Sequence, residues 1–208
     1  MPGAPTADAV PRRHVLAALV TNEPGVLAQV AGMFAARGFN IDSLVVGRTD
    51  TPELSRMTIV VPGNDAVLEQ VRKQLQKLVP VVKVVDYHDT PYVERDLVLV
   101  SVSTAGGGAD PGEGQGSGGS GGAASNREEI ASLAALFRAK VVDVAPDRLM
   151  IELAGEESKL ENFIELLRPY GLLELARTGV IAMPRGMAPR ARVVAEARTV
   201  DAADLPPG

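Results

Sequence analysis

The chain has 208 residues, 46% of them hydrophobic but only 3% aromatic, with no Trp, no Cys and a net charge of −5. That length carries one large domain or two small ones, with aliphatic cores. The acidic balance argues against a nucleic-acid surface, the missing cysteines exclude disulfides and thiolate chemistry, and no apolar run approaches the roughly 20 residues that span a bilayer. The first eleven residues show no targeting pattern, so this is a cytoplasmic type of chain with no membrane or nucleic-acid partner.

Residues 1–11 read as a disordered N-terminus. His14 to Val20 is a short apolar run with β-branched residues, a buried strand. Asn22 offers a side-chain oxygen as helix N-cap, and Pro24 sits in the first turn, where a missing N–H costs nothing. Val26, Val30, Met33 and Phe34 then follow helical spacing, and Gly38 is a left-handed stop. Ile41 to Val46 and Leu54 to Val61 are strand-like, turning at Thr49-Asp50-Thr51-Pro52. Asp65 can cap a second helix with the stripe Leu68, Val71, Leu75 and Leu78, and Val81 to Tyr87 closes the unit. The order β-α-β-β-α-β is ferredoxin-like.

The same order returns. Leu97 to Val102 is a strand and Arg127 to Phe137 a helix, followed by strands at Val141 to Val144 and Leu149 to Leu153. A helix then turns Leu160, Phe163 and Leu167 inward, and Leu172 to Arg177 and Val180 to Met183 add strands. The fold class is therefore α+β, two ferredoxin-like βαββαβ domains, expected at 12–89 and 90–186. Ten of the seventeen residues from Gly106 to Gly122 are Gly. Such a stretch cannot offset its ordering entropy by burial, so 105–125 reads as a mobile insertion in the second domain and 187–208 as a disordered tail.

Chemistry-bearing patterns are scarce. Gly114, Gly116 and Gly119 match a dinucleotide fingerprint and Gly118 to Gly122 a nucleophile elbow, but both float in low-complexity sequence outside the strand-to-helix turn each needs. His14 and His88 lack metal-ligand spacing and read as solvated strand-end residues. The pairs Glu128-Glu129 and Glu156-Glu157 read as helix N-terminal acids. No catalytic group and no metal ligand set is assigned.

The turn Asn22-Glu23-Pro24-Gly25 has two readings. Locally it is an ordinary capped helix start, as Asn40 is an ordinary turn residue after Gly38. Taken together, the N–H groups of Gly25, Val26 and Leu27 suit a carboxylate, and Gly25 lets a ligand approach the backbone. The Asn22 and Asn40 amides then offer acceptors for an ammonium group, and Val26, Leu27 and Ile41 line a small aliphatic pocket. A zwitterionic branched amino acid matches all of these features.

Three segments carry a resemblance to a known family: Asn22 to Leu27, Arg37 to Leu44 and Leu54 to Val61. With Val93-Glu94-Arg95-Asp96, Phe137 to Val144 and Arg177 to Ala182, they run in order from about Arg12 to Gly186 and resemble the small regulatory subunit of acetolactate synthase (acetohydroxyacid synthase). The resemblance implies an N-terminal ACT domain that pairs as a homodimer. It also implies valine, or another branched-chain amino acid, bound at the dimer interface by Asn22, Gly25 and Asn40 near the Val26 and Ile41 backbones. It implies a chain without chemistry or cofactor of its own. Such a chain stimulates a large catalytic subunit and confers feedback inhibition on it in branched-chain amino acid and isoleucine biosynthesis. That subunit uses thiamine diphosphate, Mg2+ and FAD to join two pyruvates, or pyruvate and 2-oxobutanoate. The Gly-rich insertion and long tail depart from compact members.

Three other readings compete. A free-standing ACT-domain sensor of another enzyme shares every feature of the turn. An RNA-binding ferredoxin-like module needs strand aromatics and a basic face that these strands lack. A small phosphate-ester or acyl-phosphate hydrolase is the third, since one fold hosts many activities.

Overall fold

The computed structural model describes residues 12–105 and 120–186, with side chains from 124 onward in the second stretch. The expected disordered N-terminus, most of the Gly-rich insertion and the tail lie outside the described residues. Two compact units emerge: residues 12–93 with 182–186, and residues 94–181. The boundary thus falls a few residues beyond the expected 89–90, and residues 182–186, expected in the second domain, belong to the first unit.

The first unit runs β1 (Arg12–Thr21), α1 (Val26–Ala35), β2 (Ser43–Arg48), β3 (Leu54–Gly63), α2 (Asp65–Leu75) and β4 (Val81–Asp86). Its antiparallel sheet has the order β2-β3-β1-β4, the ferredoxin-like arrangement expected from the pattern. The central pair β1–β3 is in continuous register over ten residues, from Arg12 opposite Gly63 to Thr21 opposite Leu54. Strand alternation puts Leu16, Ala18 and Val20 on one face beside Met57, Ile59 and Val61, and there they meet the helices. Val26, Val30, Met33 and Phe34 of α1 and Leu68, Val71 and Leu75 of α2 complete that core. Each such side chain contributes about 1.5–3 kcal/mol on full burial.

The helix ends reveal one success and one revision. Gly38 (φ +66°) ends α1 as expected: the Gly38 N–H donates to the Ala35 carbonyl and the Phe39 N–H reaches back to Phe34. The two phenyl rings pack edge-to-face, 6.3 Å between centres, so the apolar contact of this stop motif is present as well. At α2 the cap is Asn64, not Asp65; the Asn64 Oδ1 accepts the Val67 N–H at 3.0 Å. Asp65 is the first helical residue, where its charge faces the positive helix end. Two adjacent capping residues cannot be ranked without the backbone angles.

The second unit runs β5 (Tyr92–Ser103), α3 (Ser120–Phe137), β6 (Lys140–Val144), β7 (Arg148–Gly155), α4 (Glu157–Leu167), a 3-10 turn (Arg168–Tyr170) and β8 (Leu172–Arg177), with β9 (Ile181–Pro184) pairing to β5. Its order β6-β7-β5-β8 repeats that of the first unit. Even the irregularities correspond, between Leu19 and Val20 against β4 and between Ser101 and Val102 against β8. Helix α3 begins seven residues before the expected start at Arg127, so the last residues of the Gly-rich segment are helical. Burial of Ile130 and Ala134 anchors the helix, and once a turn exists each added residue costs little. Glu128 and Glu129 therefore lie inside α3 and not at its start; Glu129 instead accepts from Ser125 Oγ and Tyr170 OH. None of the described helices is long and apolar enough to cross a membrane.

Candidate ligand site

At the C-terminal end of β1 the chain is held on three sides. The Thr21 N–H donates to Pro80, the Asn22 N–H donates to Glu53 at 2.7 Å, and Asn22 Nδ2 donates to the Pro52 carbonyl at 3.1 Å. The Ser55 hydroxyl, in a residue only 5% exposed, donates to Asn22 Oδ1 at 3.1 Å. Asn22 is thus not the helix cap expected from its position. Its amide ties the β1–α1 turn to the start of β3, keeping one donor hydrogen and one acceptor lone pair for a ligand. Ser55 is the residue that sequence reasoning missed. The signal was present in the strand pairing, which sets Ser55 opposite Val20, two residues from Asn22.

The cap of α1 is Gly25, in the left-handed region at φ +86°. Beyond its two chain neighbours nothing lies within 4 Å of where a Cβ would stand, so the backbone angle demands glycine and crowding does not. The first helical bond is Gln29 N–H to Gly25 carbonyl at 3.0 Å. The Val26, Leu27 and Ala28 N–H groups precede it and have no partner within the helix, a geometry that welcomes a carboxylate. The side chains divide otherwise than expected. Val26 is buried in the core and contributes only its N–H to the turn, while Leu27 is 48% exposed and can cover a ligand.

The second half of the predicted site sits elsewhere. Asn40 and Ile41 follow the Gly38 stop; Asn40 Nδ2 donates to Asp42 Oδ1 at 3.0 Å, and Ile41 packs partly against the core. The Asp42 N–H donates to Val60, which pairs with Val15, whereas Asn22 follows Thr21, six residues along β1. Six strand residues span about 20 Å, and the ten-residue α1 between the two turns spans about 15 Å. Within one chain, Asn22 and Gly25 do not meet Asn40 and Ile41 around one small molecule.

Comparison with known proteins adds the family. The family described as "AHAS small subunit-like ACT domain" matches residues 16–83, and "Small subunit of acetolactate synthase" matches residues 122–186. The probable acetolactate synthase small subunit of Methanothermobacter thermautotrophicus is 45% identical over 176 residues, covering 85% of this chain and 95% of that one. This chain belongs to the acetolactate synthase small-subunit family. The probable small subunit of Archaeoglobus fulgidus is 49% identical over 174 residues, covering 84% and 98%. The crystal structure of the small subunit from Thermotoga maritima matches with a TM-score of 0.67 at 41% identity, covering 84% of this chain and 98% of that one. Both turns of the candidate site lie inside the ACT-domain match.

Of the histidines, His88 is exposed after the end of β4, as expected, and His14 is not. His14 is 3% exposed and not solvated, with Nε2 at 3.1 Å from the Gly63 carbonyl oxygen. Its ring lies 5.6 Å from that of His88, centre to centre.

Proposed function

We propose that this chain is the regulatory subunit of an acetolactate synthase, stimulating a catalytic large subunit and conferring feedback inhibition by valine. The chemistry belongs to that partner, with thiamine diphosphate, Mg2+ and FAD, and joins pyruvate to a second pyruvate or to 2-oxobutanoate. The carrying observation is the separation of the two polar turns within one chain. A ligand that uses both needs a second copy. Strand β2 is an end strand of its sheet, with Val46 exposed on it. Antiparallel pairing of two β2 edges would bring the start of one β2, beside Asn40 and Ile41, to the end of the other. Arg48 at that end pairs with Ser55, the residue bonded to Asn22. Such a homodimer completes two equivalent sites, each with Asn22, Gly25 and Leu27 from one copy and Asn40 and Ile41 from the other.

Inhibition then requires valine to bind a less active holoenzyme state more tightly; a tenfold preference is about 1.4 kcal/mol of coupling. The test is acetolactate formation by the cognate large subunit, with and without this chain, across a valine titration. Stimulation without valine and inhibition with it are expected. Asn22→Ala and Asn40→Ala should each keep stimulation and lose inhibition. Mixing the two variants should restore part of it, because a mixed dimer rebuilds one intact site. Unchanged rate and sensitivity on adding the chain refute the regulatory role; failure of the mixture to restore inhibition refutes the shared site.

A further inference from the structure

The whole 208-residue sequence contains two histidines, 74 positions apart, and the fold sets them side by side. His14 lies near the start of β1, on the strand face that carries Leu16, Ala18 and Val20. His88 follows the end of β4, where its N–H donates to Asp86 Oδ1 at 2.9 Å. Asp65 opens α2, just after Gly63 ends β3. One potential ligand atom from each of His14, His88 and Asp65 lies within 4.8 Å of the other two. We propose that these three residues form a divalent transition-metal site, of the kind that takes Zn2+ or Co2+, in the first unit. It is independent of the amino-acid site.

The chemistry of the donors carries the proposal. A carbonyl oxygen can only accept, so the contact with Gly63 puts the His14 proton on Nε2 and leaves the lone pair on Nδ1. Metal-bound imidazoles are oriented in this way, with the second ring nitrogen donating to a carbonyl or carboxylate. At a metal–nitrogen distance of about 2.0–2.1 Å, two imidazoles on one tetrahedral ion hold their ring centres roughly 5 Å apart, close to the observed spacing. Donor atoms in such a shell are roughly 3.4 Å apart. Closing from within 4.8 Å needs only small rotations of His88 and Asp65, both exposed, while buried His14 stays fixed. Asp89 Oδ1, 3.8 Å from His88 Nε2, adds negative charge beside the cluster. Two neutral imidazoles with carboxylate suit a borderline ion better than Mg2+ or Ca2+, which prefer all-oxygen shells. Bound there, the ion would join the start of β1, the end of β4 and the start of α2, three segments the chain links only through its folded core.

Calorimetry of the chelator-treated full chain with ZnCl2 tests this directly, with CoCl2 spectra in parallel. One ion per chain is expected, with a rise in unfolding temperature and a visible Co2+ band of tetrahedral intensity. Because His88 and Asp65 are exposed, His88→Ala and Asp65→Asn leave the core intact. Each should weaken Zn2+ binding by roughly 10–100-fold and remove the temperature rise. No saturable binding, or binding that survives either variant unchanged, overturns the site.

Discussion

Gly25→Ala separates backbone strain from ligand recognition. The glycine sits at φ +86°, where a Cβ presses on the following carbonyl at a cost of about 1–2 kcal/mol. Beyond its two chain neighbours nothing lies within 4 Å of the added methyl, so no packing clash adds to that figure. A net loss near 1 kcal/mol lowers the unfolding temperature of a domain of this size by roughly 4–8 °C. The ligand effect should be larger. If the backbone keeps its angle the methyl stands over the open turn; if it relaxes to negative φ the Val26 and Leu27 N–H groups swing away. Either route should weaken valine binding at least tenfold, about 1.4 kcal/mol. Gly171→Ala is the control for a positive-φ glycine away from the proposed site: it lies in the second unit at φ +92° and ψ +99°, outside the left-handed basin, so its strain is at least as large. Thermal unfolding with calorimetric valine titration of both variants reads the two effects apart. Valine affinity within twofold of wild type in Gly25→Ala, or an equal loss in Gly171→Ala, would refute the reasoning.

Two further outcomes follow from the packing. Asp96 is 3% exposed and accepts from Arg177 Nε (2.9 Å) and Nη2 (2.7 Å), Thr178 Oγ1 (3.2 Å) and the Gly179 N–H (3.1 Å). Asp96→Ala removes this shared acceptor, while Arg177 keeps its Nη1 bond to Glu161, and should cost about 1.5–3 kcal/mol in denaturant unfolding; a loss below about 1 kcal/mol contradicts the assigned role. Tyr87 is buried and donates to the Ala182 carbonyl at 3.2 Å, with Arg56 donating to its oxygen. Burial raises its pKa above the ordinary 10.0, against the lowering by Arg56. Its neutral form therefore stabilises the fold fully below the unfolded value, and this contribution fades as pH rises through the folded one. Tyr87→Phe should be less stable at pH near 8, with the deficit shrinking above about pH 10 in thermal scans; a constant deficit contradicts the buried phenol.

Local pattern determined a good deal by itself. The βαββαβ order, the inward stripes of α1, α2 and α4, and the Gly38 stop are set by residues within a turn or a strand of one another, and all were legible. Both polar turns were also legible, because Asn, Gly and helix N-termini announce themselves in short windows. Decisions that depend on partners distant in sequence were not. Asn22 reads as a cap until β1 pairs with β3 and brings Pro52, Glu53 and Ser55 to its amide. Asn22 and Asn40 bracket one helix in the sequence, and only the lengths of α1 and β1 set how far apart they stand within one chain. His14 and His88 read as two unrelated residues until β1 pairs with β4, which buries His14 and lays one ring beside the other. Local propensity scores neighbours along the chain, whereas these roles are conferred by neighbours across the sheet, and only the closed fold creates those.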